Sequence, residues 1–252
     1  MEKIEYTNHF NNEEKFWWFK GHRKLLFDLI KRYCLKKNLD ILDAGCGTGI
    51  NILNLQKFGN VQGCDISETA IDFCKKRGIN KVFKADIQNT GLKKESFDLI
   101  FSQGVLYHKQ VNVEKTLDEF VRILKKNGKI IIGTPAMSLL SHPIFSSFHD
   151  DNHHSARRYN LNDLKKQLEK KGFIILKITY FNFFLFIPIL ISKIYENLKF
   201  KILKKKRNIY IAQSSGYFMN YFFKKIMYFE SYILKYVNLP FGTTLIVMAE
   251  KK

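Results

Sequence analysis

The sequence predicts an α/β protein built on a doubly wound, mostly parallel sheet, and three observations carry that expectation. The first is a glycine-rich turn, Asp43-Ala44-Gly45-Cys46-Gly47-Thr48-Gly49, set between the apolar pair Ile41-Leu42 and a helix-like run over residues 50–58. Glycine removes the Cβ that would hold a ligand away from the backbone, so such a strand-to-helix turn allows close approach. The second is an acid, Asp65, ending the strand-like stretch Asn60-Val61-Gln62-Gly63-Cys64. An acid about 20 residues past the loop is where doubly wound folds place an acceptor for ribose hydroxyls. The third is the alternation of strand and helix patterns from residue 41 to residue 134, the signature of a parallel sheet with helices on both faces. Together they point to a nucleoside-bearing cofactor.

Taken in order, the chain begins with a helical, aromatic segment. Phe16-Trp17-Trp18-Phe19-Lys20-Gly21-His22-Arg23 leads into Leu25, Leu26, Leu29 and Ile30 at helical spacing, which reads as a helix packed on the sheet. Ser67 is a plausible cap for the second helix of the alternating region, and Asn127-Gly128 a plausible stop before the fifth strand. After Thr134-Pro135 the alternation breaks at a dense polar cluster, His149-Asp150-Asp151-Asn152-His153-His154-Ser155-Ala156-Arg157-Arg158-Tyr159. A helix follows, with Asn160 or Asn162 as its cap and Gly172 as its stop, then a strand over residues 173–178. Residues 180–238 interrupt the sheet. Their apolar run over residues 181–191 is far short of the roughly 20 residues a spanning helix needs. Between Lys193 and Arg207 seven basic residues (Lys193, Lys199, Lys201, Lys204, Lys205, Lys206 and Arg207) stand against one acid, Glu196. The preferred reading is a helical cap whose charges face water; the alternative is a basic amphipathic surface resting on an anionic bilayer. Residues 217–236 repeat aromatics at helical spacing, and residues 243–249 read as a last strand.

Composition bounds these readings. The 252 residues are 46% hydrophobic and 15% aromatic, enough for a sizeable core in one or two domains and unlike a disordered chain. Cys34, Cys46, Cys64 and Cys74 show no C-x-x-C spacing; they read as small buried thiols in a reducing cytosol. The charged start, Met1-Glu2-Lys3-Ile4-Glu5-Tyr6, shows no secretory signal, so the expected location is cytoplasmic, with peripheral contact at the inner membrane face as an option. The net charge of +19 suits nucleic acid, an anionic membrane or an acidic substrate, and equally a compositional bias towards lysine; charge alone selects no partner.

The spacing of the glycines, at 45, 47 and 49, differs from the dinucleotide G-x-G-x-x-G, and Asp43 would repel a pyrophosphate while suiting a ligand with an ammonium group. Asp43-Ala44-Gly45-Cys46-Gly47-Thr48-Gly49 resembles the first motif of class I S-adenosylmethionine (SAM)-dependent methyltransferases. Asp65-Ile66-Ser67 is similar to the family's ribose-binding acid and its neighbour, and Lys84-Ala85-Asp86-Ile87 to the residues flanking adenine. Phe97-Asp98-Leu99-Ile100-Phe101-Ser102-Gln103-Gly104-Val105-Leu106-Tyr107-His108 resembles the fourth strand and the ligand-face loop, and Ile123-Leu124-Lys125-Lys126-Asn127-Gly128-Lys129-Ile130-Ile131-Ile132 the helix end, turn and fifth strand. The resemblance implies a Rossmann-like, seven-stranded sheet with an antiparallel last strand. It divides the chain into an N-terminal lid (1–38), a core (39–179 and 239–252) and a helical insertion (180–238).

For the site, the resemblance implies SAM held by Asp43, Gly45, Gly47, Asp65, Ile66, Asp86, Ile87 and Gln103. A methyltransferase subgroup carries an N-terminal aromatic segment over the cofactor; Trp18 matches that segment, and Arg23 either pairs with the methionyl carboxylate or is solvated. The same subgroup has a His-Asp pair followed by Arg-Arg-Tyr, matched by His149, Asp150, Arg157, Arg158 and Tyr159. With Tyr107, residues His149, Arg157, Arg158 and Tyr159 are the candidate acceptor-binding residues. This chain departs in having Ser155 and Ala156 where the subgroup commonly has a histidine, which leaves the role of His154 open.

Histidine is the default base near neutral pH, so His108 and His154 are the catalytic candidates. The His149, Asp150, Asp151, His153, His154 cluster matches no familiar metal spacing, and the adjacent arginines disfavour a cation; no metal is expected. Arginines in pairs grip carboxylate or phosphate oxygens, so the expected reaction is methyl transfer to oxygen of an anionic, phosphorylated or sugar-type small molecule. Cell-surface glycan and secondary-metabolite biosynthesis are the settings suggested by the subgroup, without nucleic acid or an obligate protein partner. RNA methylation, or a non-catalytic membrane-surface protein that keeps the fold, are the rival readings.

Overall fold

The computed structural model describes residues 3–137, 157–191, 194–195 and 216–252. His149, Asp150, Asp151, His153 and His154, and the basic residues from Lys193 to Arg207, lie outside the described residues.

Seven strands form one sheet in the order β3-β2-β1-β4-β5-β7-β6. They are β1 (Leu39–Ala44), β2 (Gly59–Asp65), β3 (Val82–Lys84), β4 (Phe97–Gln103), β5 (Leu124–Pro135), β6 (Phe173–Phe181) and β7 (Thr244–Lys251). β7 runs antiparallel to both β5 and β6; the other pairings are parallel. The chain winds outward from β1 through β2 to β3, then returns to lay β4 on the opposite side of β1. That reversal leaves a crevice at the carboxyl ends of β1 and β4, where open α/β sheets bind ligands.

Alternation along the central strands divides the core into two layers. Ile41, Leu99, Phe101, Ile131, Ile246 and Met248 pack on one face with α2 (Trp17–Tyr33) and α7 (Tyr217–Ile233). Leu42, Ile100, Ile130, Ile132, Leu245 and Val247 pack on the other with α5 (Val113–Ile123) and α6 (Leu161–Lys170). Leu25, Leu26, Leu29 and Ile30 of α2 are buried as their spacing predicts, each contributing about 1.5–3 kcal/mol by leaving water. Further helices are α1 (Lys3–Asn12), α3 (Ile50–Leu55) with a 3₁₀ turn to Phe58, and α4 (Glu68–Lys76).

Two local expectations are corrected. Ser67 sits at the N-cap of α4 but makes no capping bond; its hydroxyl pairs with Tyr6 instead, because α1 lies against α4. Asn127-Gly128 does not end α5, which stops at Ile123. Asn127 takes a φ of 61° inside β5, and the β4–β5 register shifts between the pairs Phe97↔Leu124 and Leu99↔Lys129, so the pair forms a bulge that absorbs extra residues. Asn160 does cap α6, its Oδ1 accepting from Asp163 N at 2.8 Å.

Gly21 has a packing role. A Cβ there would run into Met227, so the glycine lets α2 and α7 approach closely. At the end of β6, Glu230 of α7 reaches back and accepts from the amides of Phe183 (3.0 Å) and Phe184 (3.3 Å), tying the segment after the sheet to that helix.

Candidate cofactor and acceptor site

The turn after β1 is anchored from below. Gly45 N and Cys46 N donate to Cys64 O at 2.8 and 2.9 Å, holding the loop against β2. Gly45, Gly47 and Gly49 all have positive φ (79°, 54° and 85°), the region an L side chain rarely enters. Their surroundings differ. A Cβ on Gly45 would strike Val105, and one on Gly49 would strike Ile79 and Cys74, whereas Gly47 faces open space. The first and third glycines are therefore demanded by packing, and Gly47 by approach from outside.

Asp65, at the end of β2, aims at the same place. Its Oδ2 accepts from Gly47 N and its Oδ1 from Ser67 N, both at 2.9 Å. Burial pushes its pKa up, and these amides pull the other way. Beside it Tyr6 is buried, its hydroxyl raised to about 12 by burial and by the nearby Asp65 carboxylate. Ile66, the next residue, is 55% exposed, an apolar surface of the kind a purine face covers. Asp86 turns its Oδ1 to Gln88 N at 2.9 Å, and Ile87 is buried against Ala44 and Leu106.

Asp43 is the most telling residue. It is 1% exposed, its Oδ2 has no hydrogen-bond partner, and burial, with Asp65 and Glu13 nearby, drives its pKa well above the ordinary carboxylate range. A buried acceptor with nothing to accept from costs about 1–3 kcal/mol, a cost that a bound cationic group would offset. The donor set thus fits SAM: Asp43 and Gly47 on the loop, Asp65 for ribose hydroxyls, Ile66, Asp86 and Ile87 around the base.

The N-terminal helices close one side of the loop. Glu13 is buried and accepts from Thr48 Oγ1 and from Arg77 Nη2 (2.7 Å), while Arg77 Nε donates to Thr48 O at 2.8 Å. Even so, burial raises the Glu13 pKa. Arg23 donates to the carbonyl of Glu13 at 2.6 Å, so it is engaged with the lid rather than solvated, and burial lowers its pKa.

Trp18 covers His22, ring centroids 4.7 Å apart, and His22 reaches the end of β4. Its Nδ1 lies 3.5 Å from Gln103 Nε2, and its Nε2 lies 3.3 Å from Asn182 Nδ2. Burial, with Arg23 nearby, lowers its pKa to about 3, so the ring is neutral at pH 7. A neutral imidazole donates at one nitrogen and accepts at the other. In both contacts an amide nitrogen faces a ring nitrogen, and a neutral ring can accept at only one of them, so one of the two amides turns its oxygen, Gln103 Oε1 or Asn182 Oδ1, both otherwise unpartnered, to the ring N–H. Ser102 Oγ and Thr134 Oγ1, at the ends of β4 and β5, are likewise buried without partners.

The segment after β4 carries the acceptor-side candidates. Tyr107 and His108 stack at 4.3 Å, both half-buried. Tyr159 donates to Leu106 O at 2.9 Å, and Arg157 to Val111 O at 2.8 Å. Arg157, Tyr159, Lys109 and Gln167 border a cavity of about 470 Å³ along residues 109–114. Arg158 is half-buried but is not among the residues bordering that cavity. His149 and His154 fall outside the described residues. Glu13, His22 and Asn182 escaped sequence reasoning: no motif sets any of them apart from its neighbours, and only the packing of α1, α2 and the end of β6 brings them to the site.

A glycine cradle, a ribose-type acid and an unpaired buried carboxylate at the reversal of a seven-stranded sheet define a nucleoside-cofactor enzyme fold with an antiparallel last strand. Comparison with known proteins is specific. Residues 42–132 match the model of a methyltransferase domain family. An uncharacterized protein of Methanocaldococcus jannaschii, MJ0638, is 33% identical over 180 residues, covering 68% of this chain and 73% of that one. The ubiquinone/menaquinone biosynthesis C-methyltransferase UbiE of Campylobacter jejuni is 33% identical over 120 residues, 44% of this chain and 50% of UbiE; the match thus spans about half of that enzyme. Further relatives include a tRNA methyltransferase of Xenopus tropicalis, matched over 100 residues and 16% of its length. Among solved structures, a SAM-dependent methyltransferase of Thermotoga maritima superposes with a TM-score of 0.59 at 21% identity, over 99% of this chain and 96% of the other. Residues 42–132 thus carry a methyltransferase domain, set on the fold of class I SAM-dependent methyltransferases, and the cofactor this supports is SAM.

Proposed function

We propose that the chain methylates an oxygen of a small anionic acceptor, a phosphorylated or sugar-type metabolite of the kind used in cell-surface glycan or secondary-metabolite biosynthesis. The observation that carries this reading is the cavity beside the segment after β4, bordered by Arg157 and Lys109, two cations suited to phosphate or carboxylate oxygens.

SAM supplies an electrophilic methyl on a sulfonium, which leaves as a neutral thioether and needs no acid. The chain's task is alignment and exclusion of water, plus a base where the acceptor must lose a proton. Asp43 holds the cationic end, Asp65 the ribose, and Trp18 with α1 and α2 excludes water above the loop. Arg157 and Arg158 orient the acceptor's anion, and Tyr159 braces the loop through Leu106 O. His108, beside Tyr107 after β4, is the candidate base among the described residues. His22, neutral and with a pKa near 3, is too weak a base and acts by positioning Gln103.

The test is transfer of labelled methyl groups from SAM to a panel of sugar phosphates, hydroxy acids and bulk tRNA. Incorporation into an anionic small molecule, with KM raised tenfold or more in Arg157→Ala and SAM binding unchanged, supports the proposal. Incorporation into tRNA alone would sink it in favour of the RNA reading, to which the basic charge lends some support.

A further inference from the structure

Helix α7 is unusual in that it buries a mixed face and presents an aromatic one to solvent. Met227, Glu230, Ser231 and Leu234 point inward and are fully buried. On the opposite side Phe218, Phe222, Lys225, Phe229, Tyr232 and Tyr236 recur at spacings of four and three residues, one continuous stripe along a helix. Every one of these six is exposed; Phe218 is 75% and Phe229 58% accessible.

The stripe does not end at the helix. Phe229 meets Phe184 at 5.9 Å, Phe184 meets Phe183 at 5.2 Å, and Phe183 meets Phe241 at 4.5 Å. Ile187, Ile191 and Tyr195 extend the exposed apolar surface on the same segment. A contiguous patch of this size on a water-soluble protein marks a contact surface.

Charge decides what it contacts. Over residues 217–236 the only acid is Glu230, which is turned inside onto the amides of Phe183 and Phe184. The cations stay outside and lie over aromatic rings: Lys224 and Lys225 each at 5.2 Å from the Tyr221 ring, Lys235 at 5.6 Å from that of Tyr232. Lysines beside tyrosine and phenylalanine, with no exposed acid, suit the boundary of an anionic bilayer, where rings sit at headgroup depth and ammonium groups meet phosphates. A second copy fits less well, since it would bring two such cationic faces together between chains of +19 each.

We propose that the exposed face of α7, with Phe184, Ile187, Ile191 and Tyr195, docks the protein on an anionic lipid surface. The docking would set the lid side of the enzyme near the bilayer, because α7 also holds the aromatic start of α2: Trp17 N donates to Asn220 Oδ1 at 2.7 Å, and the Trp17 ring lies 5.1 Å from that of Phe223.

The test is flotation of the full chain with phosphatidylcholine vesicles, with and without phosphatidylglycerol, and its readout is independent of methyl transfer. The expected result is binding only to the anionic vesicles, weakened by salt. Binding should fall about fivefold in Lys225→Ala, the loss of one surface cation, and at least tenfold in the triple variant Phe222→Ser, Phe229→Ser, Tyr232→Ser. These side chains point outward, so unfolding midpoints should stay close to the parent's; if the triple variant fails to fold, Lys225→Glu is read instead, with a loss greater than tenfold. The proposal is overturned if the parent does not float with anionic vesicles, if the folded variants float as well as the parent, or if the parent is a dimer that the same substitutions dissociate.

Discussion

The buried imidazole of His22 makes stability depend on pH in a calculable way. The ring ionises at about 6.5 in an unfolded chain and at about 3 in the folded one. Above pH 6.5 it is neutral in both states and contributes no pH dependence. As pH falls below 6.5 the unfolded chain binds a proton that the folded protein refuses, so the folded state loses stability until the folded pKa is reached. Each pH unit in that window is worth about 1.4 kcal/mol, so lowering the pH from 6.5 to 4.5 should cost about 3 kcal/mol. Carboxylates whose pKa burial raises, Asp43, Asp65 and Glu13 among them, add their own pH dependence, but they are present in parent and variant alike and drop out of the difference between the two. The assay is denaturant unfolding across the interval for the parent and for His22→Gln, the variant being less stable at pH 7 by about 1–3 kcal/mol for the lost bonds. The difference between the two should shrink as pH falls and vanish or change sign by pH 4.5. A constant difference across the interval would refute the reasoning, because His22 would then titrate alike in both states.

Asp65→Ala removes the acceptor for Gly47 N and Ser67 N as well as the proposed ribose partner, and calorimetry should show binding of SAM's demethylated product weakened at least about 150-fold, as two charge-assisted bonds of about 1.5–3 kcal/mol each require. Asp43→Asn, which removes the carboxylate proposed to meet the cofactor's cationic end, should weaken SAM tenfold or more yet leave the apo protein as stable or more so, since a desolvated ionisable group is lost; thermal unfolding read beside calorimetry separates the two effects. Gly47→Ala should cost only about 1–2 kcal/mol of folding stability for its positive φ, whereas Gly45→Ala adds a collision with Val105 and should cost clearly more. Both midpoints are measured without cofactor.

Much of the site was legible because its residues are local. The turn from Asp43 to Gly49 carries its φ requirements in its glycines, and Asp65 follows at a distance set by one helix and one strand. The same local logic places the helix and strand boundaries within a few residues, the cap at Asn160 included. Asn127-Gly128 misled because a positive-φ pair reads alike as a helix stop or as a bulge, and only the partner strand distinguishes them.

What the sequence by itself determined is the order of elements, the cofactor loop and its acids, since each depends on neighbours within a few dozen residues. What only the tertiary structure decided is everything that depends on which distant surfaces meet. Packing of α2 on α7 made Gly21 a contact residue, buried His22 between Gln103 and Asn182, and drew Glu13 onto Thr48 and Arg77. It also turned Met227, Glu230 and Ser231 of α7 inward and left an aromatic stripe of the same helix exposed. Helical periodicity marks where apolar residues align, but which side is covered depends on the shape of the rest of the chain.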